Sequence, residues 1–284
     1  MLQTLRSLPL SLVFACWAAA LFGCRSTPEA LPDPEVHFTQ VGHGDDVLVL
    51  VHGWASDGSV FDAQVRALSD EARLLVVDLP GHGQSPMPQE PWSMALFARG
   101  VRYAMDQAGI EEAVLVGHSN GVPVVREFWR MFPDRVRGLV LLDGALEPMI
   151  GAEMAEGFMA LYREPGYEDR AESLADQMLA TIPEELRPPL REMMLATSPE
   201  TLAGGIEAVV DPSIWTDDRI ETPTLAILAQ QPMWSAEYLA RIPEIVPEIE
   251  LHVWEGVSHY LHVGQAERFH QVLRPFLHDR VGFH

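Results

Sequence analysis

The sequence predicts an α/β fold, a mostly parallel central sheet with helices on both faces, from three apolar runs that each end in a glycine-containing turn. The first is Val47-Leu-Val-Leu-Val51, followed by His52-Gly-Trp54. An unbroken apolar run of that length is what a parallel strand needs when both of its faces are covered. The second, Leu74-Leu-Val-Val77, enters Asp78-Leu-Pro-Gly-His-Gly-Gln-Ser85. The third, Ala113-Val-Leu-Val116, enters Gly117-His-Ser-Asn-Gly121 and then Val122 to Phe132, a stretch apolar and long enough for a helix. A chain of 284 residues, 48% of them hydrophobic, can bury one large core of this kind and carry an insertion as well. It contains no internal repeat and no low-complexity tract.

The remaining elements follow in order. Residues 36–41 open the sheet, and Phe61, Val65 and Leu68 give residues 59–69 helical spacing. Residues 92–108 read as the helix before the third strand. Arg137 to Asp143, Pro223 to Leu228 and Ile249 to Trp254 read as later strands, and Pro275 and Phe276 sit in a closing helix. Residues 146–220 read as helices broken by prolines, an inserted cap that divides the core into 36–145 and 221–284. Met149, Met154, Met159, Met178, Met193 and Met194 fall in this region. They suggest an adaptable apolar pocket, and ordinary cap packing accounts for them equally well.

The N-terminal segment stands apart from the fold. Arg6 precedes an apolar stretch from Leu8 to Phe22, which meets Leu21-Phe-Gly-Cys24. This resembles a bacterial lipoprotein signal, with residues 1–23 removed, Cys24 lipidated and residues 24–35 a Pro-rich tether. The stretch is short of the ~20 residues of a spanning helix. Phe22 departs from the small residues usual at that position, so an uncleaved anchor and an ordinary secretory signal remain alternatives. The resemblance implies a membrane attachment through Cys24, on the outer membrane because Arg25 follows it. Cys16 would leave with the signal, so the mature domain has no disulfide. Neither cysteine nor histidine spacing suggests a metal site, and no cofactor is expected. The formal charge of −22 comes from 41 acids against 19 bases, all of them arginine. That field disfavours nucleic acid as a partner, and it also describes a well-solvated acidic surface.

Strand, G-x-S-x-G and helix together describe a sharp turn that presents a serine hydroxyl, with the flanking glycines allowing strand and helix to approach. With His-Gly-Trp54, the Asp78 to Ser85 turn and the Gly117 to Gly121 motif in this order, residues 36 to 278 resemble the α/β-hydrolase fold family. The resemblance implies that Ser119 is the nucleophile and that His259, in the loop after the last strand, is the base. It implies an oxyanion hole from the backbone N–H groups of Trp54 and Asn120, and a helical cap over the substrate. Trp54 would also wall the acyl pocket. His252 lies within a strand and His262 at a helix start, so neither matches the base. His52, Asp78 and His82 read as holders of loop backbones.

The orienting acid departs from the pattern. Most relatives place an aspartate just beyond the strand that here ends near Leu228, where this chain reads Ala229-Gln-Gln-Pro-Met-Trp234. Asp143, at the end of the preceding strand, is the expected substitute, as in some branches of the fold. Glu147 and Glu237 stand behind it, and a Ser119–His259 dyad is the remaining possibility.

Two classes of function compete. One is a serine hydrolase acting on a neutral, fairly apolar small-molecule ester or related acyl substrate, and carbon–carbon hydrolysis or lyase chemistry would reuse the same residues. Epoxide and dehalogenation chemistry is disfavoured, because those relatives carry an aspartate where Ser119 stands. The other is a lipid-anchored binding or accessory protein that kept the fold and lost catalysis. Fold resemblance fixes a site and not a ligand.

Overall fold

The computed structural model describes residues 32–284; Cys24, the segment before it and most of the Pro-rich tether lie outside the described residues. Seven strands make one sheet: β1 (Phe38–Val41), β2 (Val47–Val51), β3 (Arg73–Val77), β4 (Ala113–His118), β5 (Val136–Leu142), β6 (Thr224–Ala229) and β7 (Glu250–Trp254). Their order is β1-β3-β2-β4-β5-β6-β7. All neighbours are parallel except β1, which runs antiparallel to β3. The helices are α1 (Asp62–Leu68), α2 (Met94–Gln107), α3 (Gly121–Met131), α4 (Ala152–Arg163), α5 (Tyr167–Met178), α6 (Arg187–Ala196), α7 (Pro199–Val210), α8 (Ala236–Ile245), α9 (Leu261–Gly264) and α10 (Ala266–Phe276).

The continuous apolar strands are divided by the period of two between two cores. Val47, Val49, Val51, Leu115, Leu139 and Leu141 pack with residues of α2, α3 and α8 on one face. Leu48, Leu50, Val114, Val116, Val140 and Leu142 pack with residues of α1 and α10 on the other. All five residues of β2 are buried. A strand covered on both sides disfavours polar side chains along its middle, which is why these runs stand out in the sequence.

Local chemistry trims the expected elements. The first helix begins as a 3-10 turn, Gly58–Phe61, because the Asp57 carboxylate accepts from Ser59 N–H and holds the chain in a tighter entry. Ser93 caps α2 by accepting from Leu96 N–H at 3.0 Å, so that helix starts at Met94. Between β5 and β6 the chain leaves the sheet to form α4 to α7, with α7 packed along α4. No helix among the described residues is long and apolar enough to cross a membrane. Because six of the strands run the same way, the loops that follow β2, β4, β5, β6 and β7 gather at one edge of the sheet, where ligand sites of open parallel sheets form.

Candidate active site

Among the described residues three non-glycines have a positive φ: Ala55 (54°), Ser119 (53°) and Asp143 (45°). They follow β2, β4 and β5, which are neighbours in the sheet. Such backbone costs about 1–3 kcal/mol per residue and persists where surrounding structure over-determines it, so its concentration at one strand edge makes that edge the candidate site.

Ser119 is held there from both sides. Its N–H donates to Leu142 O of β5 at 2.8 Å, and its carbonyl accepts from Val122 N–H at 2.9 Å. A Cβ at Gly117 would strike Gly121 O, and one at Gly121 would strike Val51 O. The two glycines of the motif thus let β4, the turn and the start of α3 stack without side chains between them. Asn120 is the residue just before α3, whose N-terminus offers a positive dipole end.

Asp143 and His259 meet at the same edge. Asp143 Oδ2 lies 2.7 Å from His259 Nδ1. An ionised carboxylate only accepts, so His259 Nδ1–H donates and Nε2 is left as the free base position. The rest of the carboxylate is fully engaged. Oδ1 accepts from Ala229 N–H at 2.8 Å and from Trp234 Nε1–H at 3.0 Å, and Oδ2 also accepts from Gln231 Nε2 at 3.1 Å. The Asp143 side chain is completely buried, whereas that of His259 is 22% exposed. β6, which carries no acid at its end, instead supplies three donors to the acid of β5. Gln231 and Trp234 were not singled out by the sequence; the signal available was a strand end that had exchanged its carboxylate for hydrogen-bond donors.

The two other carboxylates weighed from the sequence make no bond to His259, although Glu147 lines the same cavity. Glu147 pairs with Arg241 at 2.6 Å, and Glu237 sits in the first turn of α8.

Ser119, Asn120, Trp54, Asp143 and His259 all line one cavity of about 210 Å³. No acceptor among the described residues takes the backbone N–H of Trp54 or of Asn120. Trp54 Nε1–H donates to Leu202 O of α7 at 2.8 Å, which fixes its ring as a wall between sheet and insertion. Apart from Glu147, the other walls are apolar, including Pro123, Met149, Ile150, Ile206, Val209 and Trp215. Of the six methionines in residues 146–220, only Met149 reaches this cavity, joined there by Met233 from the loop after β6. Met193 and Met194 are buried in the core on the α1 and α10 face, and Met154 is 58% exposed. The methionine-rich stretch therefore serves mainly packing and surface.

The residues read as loop holders have that geometry. His52 Nε2 accepts from Leu79 N–H at 3.0 Å, so its Nδ1–H donates to Gly53 O at 2.8 Å; burial pushes its pKa down and keeps it neutral. Asp78 accepts from Gly58 N–H and Gln84 N–H, at 2.8 and 3.0 Å, and His82 contacts Pro80 O through Nδ1 at 3.1 Å. His252 pairs with Glu250 on β7 at 2.9 Å, away from the acid. Among the described residues no group of three His, Cys, Asp or Glu side chains is placed to hold a metal ion.

Comparison with known proteins bears on this architecture. A family model described as alpha/beta hydrolase fold matches residues 46–263. Over 265 residues the chain is 30% identical to the 2-hydroxy-6-oxononadienedioate/2-hydroxy-6-oxononatrienedioate hydrolase of Paraburkholderia phymatum, covering 85% of this chain and 90% of that one. A match of 134 residues at 35% identity, covering 43% of this chain and 50% of the other, is to the pimeloyl-(acyl-carrier protein) methyl ester esterase of Methylococcus capsulatus. Among solved structures, a thermophilic esterase from Thermogutta terrifontis superposes with a TM-score of 0.73 at 25% identity, over 87% of this chain and 94% of that one. With the family model spanning most of the chain and the sheet, turn and insertion arranged as described, the protein belongs to the alpha/beta hydrolase fold family.

Proposed function

We propose that the protein is a serine hydrolase that cleaves a neutral, fairly apolar ester or related acyl substrate through an acyl-enzyme on Ser119. The observation that carries this reading is the Asp143–His259 pair at the mouth of an apolar cavity that Ser119 also lines. Ser119 Oγ attacks the substrate carbonyl carbon while His259 Nε2 takes its proton, and the carbonyl oxygen becomes an oxyanion facing the N–H groups of Trp54 and Asn120. The buried Asp143 carboxylate stabilises the imidazolium. His259 then protonates the leaving alkoxide, and the ester bond breaks to leave acyl-Ser119. Water, deprotonated by His259, attacks this acyl group; the proton returns to Ser119 and the acid leaves.

Substrate charge follows from the walls. The chargeable residues that line the cavity are Asp143, His259 and Glu147, and no arginine does. Glu147 is already paired with Arg241, and Arg126 nearby is paired with Asp218 at 3.0 Å. A substrate carboxylate therefore meets negative charge without a free cation, at a cost. The relative from Paraburkholderia phymatum is named for a dioate substrate; this cavity favours a neutral one. The accessory-protein reading draws its support from the missing acid after β6, and the carboxylate that Asp143 presents to His259 weakens that motive.

The test is a kinetic comparison of p-nitrophenyl butyrate with p-nitrophenyl hemisuccinate. A neutral-substrate hydrolase turns over the butyrate with an initial burst of nitrophenol and prefers it at least about tenfold, the equivalent of roughly 1.4 kcal/mol. Absence of turnover on any neutral ester of this size would overturn the reading. Placement is a separate proposal, with Cys24 as a lipid attachment point: Cys24→Ser should move the protein from the membrane fraction to a soluble or unprocessed form, and wild type in the cytosolic fraction would contradict it.

A further inference from the structure

Behind the base lies a cluster that this chemistry leaves unused. His118 ends β4, is 1% exposed, and is the chain neighbour of Ser119. Its ring centre lies 4.8 Å from that of His259 and 4.5 Å from that of the buried His262. His118 Nε2 is 3.1 Å from the backbone oxygen of His259. A carbonyl oxygen only accepts, so the proton sits on Nε2 and Nδ1 carries the lone pair. That Nδ1 has no partner among the described residues, nor do Ser258 Oγ and the two ring nitrogens of His262.

A side chain present for packing alone would be apolar here, because burying a lone imidazole nitrogen is unfavourable. What His118 gains for that cost is a single hydrogen bond, and its acceptor is the main chain of the residue that bears the base. Buried Ser258, Tyr260 and Leu261 pack the His259 loop against the core, and what is sparse there is main-chain hydrogen bonding. The loop leaves the edge strand β7, which pairs only with β6, and among the described residues no backbone–backbone hydrogen bond fixes residues 255–259. His259 is tied through its ring to Asp143 and through its carbonyl to His118.

We propose that His118 is a positioning residue that sets the spacing between nucleophile and base, clamping the His259 loop to the Ser119 turn through its Nε2–H···O=C bond. The proposal rests on the reading of Ser119 and His259 as nucleophile and base. Burial, reinforced by the neighbouring His262 and His259, holds the His118 pKa well below its ordinary value. Burial and His259 push His262 down to about 3. Both neighbours therefore stay neutral and leave the imidazolium of the reaction to His259 alone.

Three substitutions separate the clamp from packing. Glutamine places its amide nitrogen about where Nε2 stands, asparagine falls short, and leucine fills the space without a donor. His118→Leu is expected to lower kcat on p-nitrophenyl butyrate by about 10- to 100-fold, the scale of a misplacement near 1 Å, with KM within threefold of wild type. His118→Gln should recover most of the loss and His118→Asn little of it. Folded His118→Leu with wild-type kcat overturns the proposal. So do equal losses in all three variants that track their melting temperatures. If the leucine variant does not fold, nitrogen-15 histidine NMR of the wild-type protein decides: the clamp requires His118 as the Nε2–H tautomer, and the Nδ1–H tautomer excludes it. Fluorophosphonate labelling of wild type runs alongside. Failure to label counts against Ser119 as nucleophile, and the NMR result still settles the clamp.

Discussion

The strand edge and the insertion meet at one cavity, yet they are built by opposite rules. At the edge, Asp143 uses both oxygens twice, Ser119 is fixed by β5 and by its own turn, and three residues hold uncommon backbone geometry. In the insertion, much of α4 to α6 faces solvent, and its ion pairs are exposed ones such as Arg191 with Glu172 and Asp176. The segment before α4, α7 and Trp215 beyond it reach the cavity, with Met149, Ile150, Gly205, Ile206 and Val209 among the lining residues. The contrast teaches a division of labour. On the proposed reading, chemistry sits where the Asp143 carboxylate is fully hydrogen-bonded and the Ser119 backbone is held from two sides, and fit to the substrate sits in a layer that can change without disturbing it.

The largest expected effect falls on the edge. Asp143→Asn keeps the shape and removes the charge that holds the His259 tautomer, so kcat should fall by up to about 10⁴ while thermal unfolding moves far less than activity. Glu147→Gln and Glu237→Gln are the matched carboxylate controls and should retain most activity on neutral esters. An Asp143→Asn protein that is folded and within a few-fold of wild type would erase the distinction between the two regions.

Acid should damage the edge and spare the insertion. His52, His82, His118 and His262 are fully buried, with pKa values pushed below the ordinary 6.5 chiefly by desolvation, to about 3 for His82 and His262. Residues 146–220 contain no histidine. Below about pH 6.5 the unfolded chain binds protons that the folded chain refuses, so stability rises with pH in that range and is lost as pH falls. Between pH 7 and 5.5 His82 and His262 should each cost on the order of 1 kcal/mol, and His52 and His118 act in the same direction. Chemical denaturation at the two pH values measures it, and equal midpoints would contradict the neutral buried state.

A smaller effect is expected where the insertion touches the edge. A Cβ at Gly205 of α7 would stand 2.8 Å from Trp54 Cδ1, and the ring is tethered to Leu202. Gly205→Ala should therefore narrow the acyl side and lower kcat/KM for long-chain p-nitrophenyl esters relative to acetate by about tenfold, roughly 1.4 kcal/mol. An unchanged chain-length profile would remove α7 from the specificity wall. The smallest effect belongs to the outer surface: Arg191→Ala should leave the unfolding midpoint and the esterase profile close to wild type, because its ion pairs are exposed.

The same division decides what the sequence discloses. Val47–Val51 and Ala113–Val116 are legible because double-sided burial keeps them continuously apolar. The turn at Ser119 is legible because only glycines fit at its flanks. Asp143 could be suspected from its strand end, but its partners could not, because Gln231 and Trp234 come from an irregular loop whose aim depends on tertiary packing. Likewise, no periodicity tells which of the four inserted helices faces the cavity. The methionines were compatible with a pocket lining or with ordinary packing; of the six only Met149 lines the cavity, beside Val209, Ile206 and Trp215. His118 was not singled out by the sequence, since its acceptor lies 141 residues away.

The central claim, that the strand edge activates Ser119, is tested most directly by labelling the protein with a fluorophosphonate and locating the adduct by peptide mass spectrometry. The predicted result is one adduct per chain on Ser119, absent in Ser119→Ala and formed much more slowly in Asp143→Asn. No adduct on the folded wild-type protein, or equal labelling of Ser119→Ala, would contradict it.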